Sequence, residues 1–137
     1  MTLREVLHAH VPTLHRLSTV RDAVDRMDVY QFPALVVVDA DRRPIAVVTE
    51  GDLARAVSAQ GELVSLGPRP VMDFAVSSPT LAQPDTEISD ALDVMLARGL
   101  TILPVAEDGL FLGFVLRMDL MQAILLDVPE SSDGAAS

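Results

Sequence analysis

Three histidines, His8, His10 and His15, fall within eight residues near the start of the chain and raise the question of a metal. They offer no fourth ligand of known placement. His8 and His10 also lack the i, i+4 spacing that sets two imidazoles on one helix face, so no metal is expected. A surface segment is their expected fate. Serine, histidine and aspartate are all present, but no Gly-x-Ser-x-Gly elbow, Gly-x-Gly-x-x-Gly loop or His-Glu-x-x-His helix frames them. All ten basic residues are arginine, which excludes lysine Schiff bases and the lysine of a Walker phosphate loop. The absence of cysteine removes disulfides, thiolate metal sites and thiol nucleophiles. Catalysis therefore lacks its usual equipment, and the chain is not expected to be an enzyme. Two aspartates, Asp52 and Asp119, each follow an apolar run at the start of an expected helix.

The elements that position these carboxylates occur twice. Val20, Ala23, Val24 and Met27 recur 68 residues later as Ile88, Ala91, Leu92 and Met95. Pro12-Thr13-Leu14 recurs at 67 as Pro79-Thr80-Leu81, Leu35 matches Leu103 at 68, and Asp52-Leu53 matches Asp119-Leu120 at 67. The offset changes only where turns are expected, because loops tolerate insertion and regular elements do not. Each copy begins with a short extended piece and continues into a helix whose apolar residues follow the i, i+3, i+4, i+7 pattern. Thr19 with Asp22, and Asp85-Thr86 after Pro84, offer N-cap chemistry. Two strands follow: Leu35–Val38 and Ile45–Val48 in the first copy, Ile102–Val105 and Phe111–Val115 in the second. Both are apolar on both faces, which predicts strands buried on two sides. Asp52 and Asp119 then open second helices. The class is α/β (α+β), with a β-α-β-β-α unit repeated. Each unit alone buries too little, so the copies are expected to pack through their sheets.

The expected organisation is residues 1–60 as the first repeat with its N-terminal segment, 61–70 as a linker, 71–126 as the second repeat, and 127–137 as a disordered acidic tail. Met72, Met95, Met118 and Met121 are expected to fill cores. Formal net charge is −10, with eight arginines against nine acids in residues 1–70 and two against eleven in 71–137. That balance disfavours nucleic acid and anionic membrane surfaces. Apolar runs of about five residues are too short for a membrane span of roughly twenty. With no export signal in view, the cytoplasm is the expected location.

This ordered set resembles a tandem pair of CBS domains, the paired unit called a Bateman module. The carrying residues are the Ala…Met helices, Leu103-Pro104-Val105, the acidic hairpin turns, Ala46-Val47-Val48-Thr49-Glu50-Gly51-Asp52-Leu53 and Gly113-Phe114-Val115-Leu116-Arg117-Met118-Asp119-Leu120. The resemblance implies two repeats related by a pseudo-two-fold. It also implies a non-enzymatic sensor that binds AMP, ADP, ATP or S-adenosylmethionine between the repeats, signals to an unidentified partner protein, and associates into a homodimer through its helices.

The family's Gly-h-h-Thr/Ser-x-x-Asp motif (h hydrophobic) implies a hydroxyl for a phosphate and a carboxylate for the ribose hydroxyls. The first copy keeps Thr49 and Asp52 but has Ala46 for Gly. The second keeps Gly113 and Asp119 but has Leu116 for the hydroxyl. The Thr49/Asp52 site is therefore expected to be the working one, with Arg117 aimed into it and Glu50 aimed into the other. Phe32, Pro33, Ala34, Thr101 and Ile102 form the implied adenine wall, and Val47, Thr13 and Leu14 complete the lining. The acidic surroundings favour AMP or S-adenosylmethionine over ATP. Thr49 and Asp52 would equally serve as strand end and helix cap, a role worth about 1 kcal/mol. The competing function is a structural or dimerisation module that binds no nucleotide.

Overall fold

The computed structural model of the protein describes residues 1–60 and 63–127. Its first repeat runs through α1 (Val20–Tyr30), β1 (Ala34–Val38), β2 (Pro44–Thr49) and α2 (Glu50–Gln60). A short helix α3 (Leu63–Leu66) and a two-residue strand β3 (Val76–Ser77) lead to the second repeat. That repeat consists of α4 (Ile88–Arg98), β4 (Ile102–Glu107), β5 (Leu110–Leu116) and α5 (Arg117–Asp127). The expected 127–137 tail lies outside the described residues beyond Asp127.

α1 starts where its cap chemistry predicts. Thr19 Oγ1 accepts from the Asp22 amide at 3.2 Å, and the Thr19 amide donates back to Asp22 Oδ2 at 2.9 Å. That backbone donor holds the Asp22 carboxyl below the usual carboxylate range, against a smaller opposing effect of burial. α4 differs from expectation. Its cap is Glu87, which makes no side-chain capping bond, and the Ile88 amide instead donates to the Met1 carbonyl at 3.1 Å. Backbone from a remote segment thus replaces the capping expected of Asp85 and Thr86.

Both hairpins are antiparallel, β1 with β2 and β4 with β5, and β3 adds to the edge of β2. Strand alternation divides their side chains between two environments. Leu35, Val37, Ala46 and Val48 face α1 and α2, and Leu103, Val105 and Val115 face α4 and α5. Ala34, Val36, Val38 and Val47 meet Ile102, Phe111 and Phe114 in a third core between the sheets. Packing through the sheets is what the apolar runs predicted.

The leading strand of each repeat shrinks to one parallel bridge, Leu14 to Val37 and Ala82 to Val105. Leu14 donates to the Val36 carbonyl and accepts from Val38, and Ala82 does the same with Pro104 and Ala106. The counterpart of Leu14 is therefore Ala82, at an offset of 68, rather than Leu81.

The lead-in segments cross between repeats. The 3-10 turn Leu3–Glu5 packs on the second repeat: the Leu3 amide donates to Thr86, and its side chain is fully buried in that repeat's core. The equivalent turn Val71–Asp73 packs on the first, with the Val71 amide donating to Ser18. The N-terminal segment, grouped in sequence with the first repeat, thus completes the core of the second. Nor is the 61–70 stretch a bare linker. Leu66 is buried in the first core, and the Gly67 and Arg69 carbonyls accept from the Arg21 and Val20 amides at the start of α1.

Candidate functional site

The hairpin of each repeat delivers its last strand residue directly into a helix, so Thr49 ends β2 and Asp52 lies in the first turn of α2. They close a reciprocal capping pair. The Thr49 amide donates to Asp52 Oδ2 at 2.9 Å, and the Asp52 amide donates to Thr49 Oγ1 at 3.0 Å. One turn on, Arg55 Nη2 donates to Asp52 Oδ1 at 2.6 Å. The Asp52 side chain is only 12% exposed, whereas that of Arg55 is 74% exposed.

These groups open onto a cleft of about 560 Å³ between the repeats, within the size range of small-molecule sites. Its far wall is the backbone turn after α4, where Gly99 takes φ +62°, followed by Leu100, Thr101 and Ile102. Val47 and Pro33 supply apolar surface; Ser78, Thr80 and Thr101 bring further hydroxyls. The arrangement offers a carboxylate held in a fixed orientation, one exposed guanidinium and several hydroxyls beside a flat apolar slot. Such a set binds and orients a polar molecule with a planar portion. Among the described residues, no cluster of three or more histidine, cysteine, aspartate or glutamate side chains could hold a metal.

Six of the sequence-derived candidates meet in this cleft: Thr49, Asp52, Val47, Pro33, Thr101 and Ile102. The other six lie elsewhere. Leu14 is buried in the core between sheet and helices, and Thr13, next to it, lies outside the cleft. Ala34 is enclosed in the core between the sheets. Arg117 lines an adjacent groove with Leu92, Leu96, Met118 and Met121, while Glu50 stands in the Thr49/Asp52 cleft itself. The Arg117 groove shares Pro33 and Thr101 with the cleft, although Arg117 itself is not among the cleft's lining residues.

Asp119 and Phe32 belong to a different constellation. His8 Nε2 lies 2.9 Å from Asp119 Oδ2, which also accepts the Leu116 amide at 2.8 Å. The imidazole packs against Phe32 and Phe114, with ring centroids 5.4 and 5.7 Å away. His8 is thus partly buried and bonded rather than part of a free surface segment, whereas His10 and His15 are exposed. Met95 fills a core as expected, but Met118 and Met121 are exposed on α5.

Sequence reasoning missed Arg55, Ser78 and Thr80. Arg55 was detectable as the i+3 neighbour of Asp52 on one helix face. Ser78 and Thr80 reach the cleft only through the crossing of the lead-in segment, which leaves no local signal.

A sequence model of the family described as CBS domain matches residues 3–59 and again 71–126. An uncharacterised 17.7 kDa protein of Acidianus ambivalens is 32% identical over 108 residues, spanning 78% of this chain and 63% of that protein. The chain spans less than two thirds of the length of the first curated relatives it matches. Among solved structures, CBSX2 in complex with AMP superposes with a TM-score of 0.81 at 23% identity, covering 93% of this chain and 98% of that one. The CBS domain pair of protein MJ0100, in complex with 5′-methylthioadenosine and S-adenosyl-L-methionine, superposes with a TM-score of 0.82 at 16% identity, covering 93% and 98%.

Proposed function

The chain belongs to the CBS-domain family as a tandem pair of its repeats, and from that premise we propose that it is a non-catalytic sensor of an adenosine-type ligand, singly phosphorylated, held in the Thr49/Asp52 cleft. The observation that carries this reading is the orientation of Asp52. The Thr49 amide and Arg55 each use one lone pair of the carboxylate. Those remaining are free to accept two vicinal hydroxyls. Arg55 and the hydroxyls of Thr49, Ser78 and Thr80 suit one phosphate, since an arginine forms charge-assisted bonds to phosphate oxygens. Glu50 in the same cleft opposes further negative charge, which favours AMP over ATP. The AMP and S-adenosylmethionine complexes of CBSX2 and MJ0100 support an adenosine class of ligand.

Occupancy acts by favouring one relative position of the repeats, which a partner protein reads as a difference in binding surface. Homodimerisation through the helices belongs to the same proposal. Leu96 on α4 and Met118 and Met121 on α5 are exposed around an apolar groove, and paired apolar helix faces are a common basis of symmetric dimers. Light scattering of the chain and its Met118→Glu variant tests this, with a shift from dimer mass to monomer mass expected.

A thermal-shift titration with AMP, adenosine, ATP and S-adenosylmethionine tests the ligand. AMP raises the midpoint, because a ligand that binds only the folded state stabilises it, and Asp52→Ala abolishes the effect. No shift with any of the four at millimolar concentration supports the competing reading, a dimerisation module without a nucleotide.

A further inference from the structure

The internal repeat provides a second cleft position, in which His8 corresponds to Val76, Phe114 to Val47, Phe32 to Leu100 and Asp119 to Asp52. We propose that His8 is a built-in occupant of this second position, so that one chain takes one adenosine-type ligand and not two. The ligand's identity rests on the function proposed above; the seating of His8 does not.

Three features place the imidazole where a ligand would sit. Its Nε2 lies 2.9 Å from Asp119 Oδ2, the oxygen that also accepts the Leu116 amide. The corresponding carboxylate in the open cleft bonds an exposed arginine instead, through its other oxygen. Its ring packs with Phe32 and Phe114, which are themselves edge-to-face at 5.0 Å, within the 4.5–7 Å range of favourable aromatic pairs. A planar base would need this same space. The His8 backbone is also held in place: its amide donates to the Phe114 carbonyl at 2.9 Å, and its carbonyl accepts from the Phe114 amide at 3.2 Å. Gly113 permits that approach, since a Cβ there would stand 2.1 Å from the His8 oxygen.

The open cleft shows the contrast. Val76 makes the matching pairing with Val47, but an aliphatic side chain carries no ring into the slot and no donor to the carboxylate. Leu116, in the place of Thr49, lacks one phosphate hydroxyl, so a second equivalent admitted by removing His8 binds more weakly than the first. A tethered side chain also competes at an effective concentration on the order of millimolar or above, which raises the concentration of free nucleotide needed to displace it.

Calorimetric titration of the full chain with AMP, together with NMR of the ligand-free chain, tests the proposal. The wild type takes up one equivalent, lost in Asp52→Ala, and His8→Ala gains a second equivalent that His8→Ala/Asp119→Ala loses. In the ligand-free wild type, the His8 ring protons show Overhauser contacts to Phe32 and Phe114, and Asp119→Asn moves their resonances. Two equivalents bound by the wild type, or no gain in His8→Ala, overturns the proposal. If the wild type binds no AMP, the nucleotide reading fails, and the ring contacts alone decide the seating of His8: their presence upholds it and their absence refutes it. That measurement also decides the matter if His8→Ala does not fold.

Discussion

Gly113→Ala is expected to destabilise the chain by about 3 kcal/mol, roughly three lost backbone and side-chain hydrogen bonds. The added methyl would lie 2.1 Å from the His8 carbonyl oxygen, 2.9 Å from its carbonyl carbon and 2.8 Å from Leu7 Cδ1. Ordinary contact begins near 3.4 Å. The obstacle is backbone on one side and a side chain wedged against it on the other, so the N-terminal segment around His8 must move away by about 1.3 Å. That displacement breaks both bonds between His8 and Phe114 and draws the imidazole off Asp119. Each is worth about 1 kcal/mol net, and overpacking alone costs about 1–3 kcal/mol, so the sum is not an overestimate. Urea unfolding followed by far-ultraviolet circular dichroism measures the loss, and the thermal midpoint falls by roughly 9 °C at about 3 °C per kcal/mol for a chain of this size. Ala46→Gly is the control. Ala46 holds the corresponding place in the first repeat and already carries its methyl opposite Ser77, so removing it costs about 1 kcal/mol or less. A Gly113→Ala loss below 1 kcal/mol would refute the reasoning, because it would show that the His8 segment does not press on β5 in solution.

Leu66→Ala and Leu3→Ala each cost about 2–5 kcal/mol by urea unfolding, as fully buried leucines do; a passive linker or a loose N-terminus would lose almost nothing. Thr19→Ala costs about 1 kcal/mol through the lost cap, measured in the same assay. Asp22 and Asp39 have carboxyl groups held below their usual range by backbone donors, from Thr19 and from Arg43 respectively. Their stabilisation is complete above the ordinary aspartate value and lost as pH falls through the depressed folded-state value, so stability declines below about pH 4. Asp22→Asn flattens part of that acid limb in denaturation curves taken at successive pH values. Arg55→Gln lowers AMP affinity about tenfold, the 1.4 kcal/mol of one charge-assisted bond, and lowers adenosine affinity by less, both measured by calorimetry.

Much of the architecture was legible in local chemistry. Val20, Ala23 and Met27 recur as Ile88, Ala91 and Met95 because a helix face against a sheet demands an apolar residue at every turn, and that demand is written at fixed spacing. The two-sided burial of Leu35–Val38 followed from a run with no polar face, and the places of Thr49 at a strand end and Asp52 at a helix start from the apolar run and the helix pattern around them. Six of the cleft residues, Thr49, Asp52, Val47, Pro33, Thr101 and Ile102, were named through the resemblance to a CBS pair, and they line one cleft. Arg55 was also within reach, one helical turn from Asp52.

What the tertiary structure alone decided is which segment completes which repeat. Leu3 and Val71 look alike from either side of the chain. Only the crossing of the lead-in segments places Leu3 beneath α4 and α5, Val71 beneath α1 and α2, and Ser78 and Thr80 beside Asp52. The same crossing brings His8 to Asp119 across 111 positions of chain. No local pattern records such a contact, because its energy comes from shape and hydrogen bonding between surfaces that meet only after both repeats have formed.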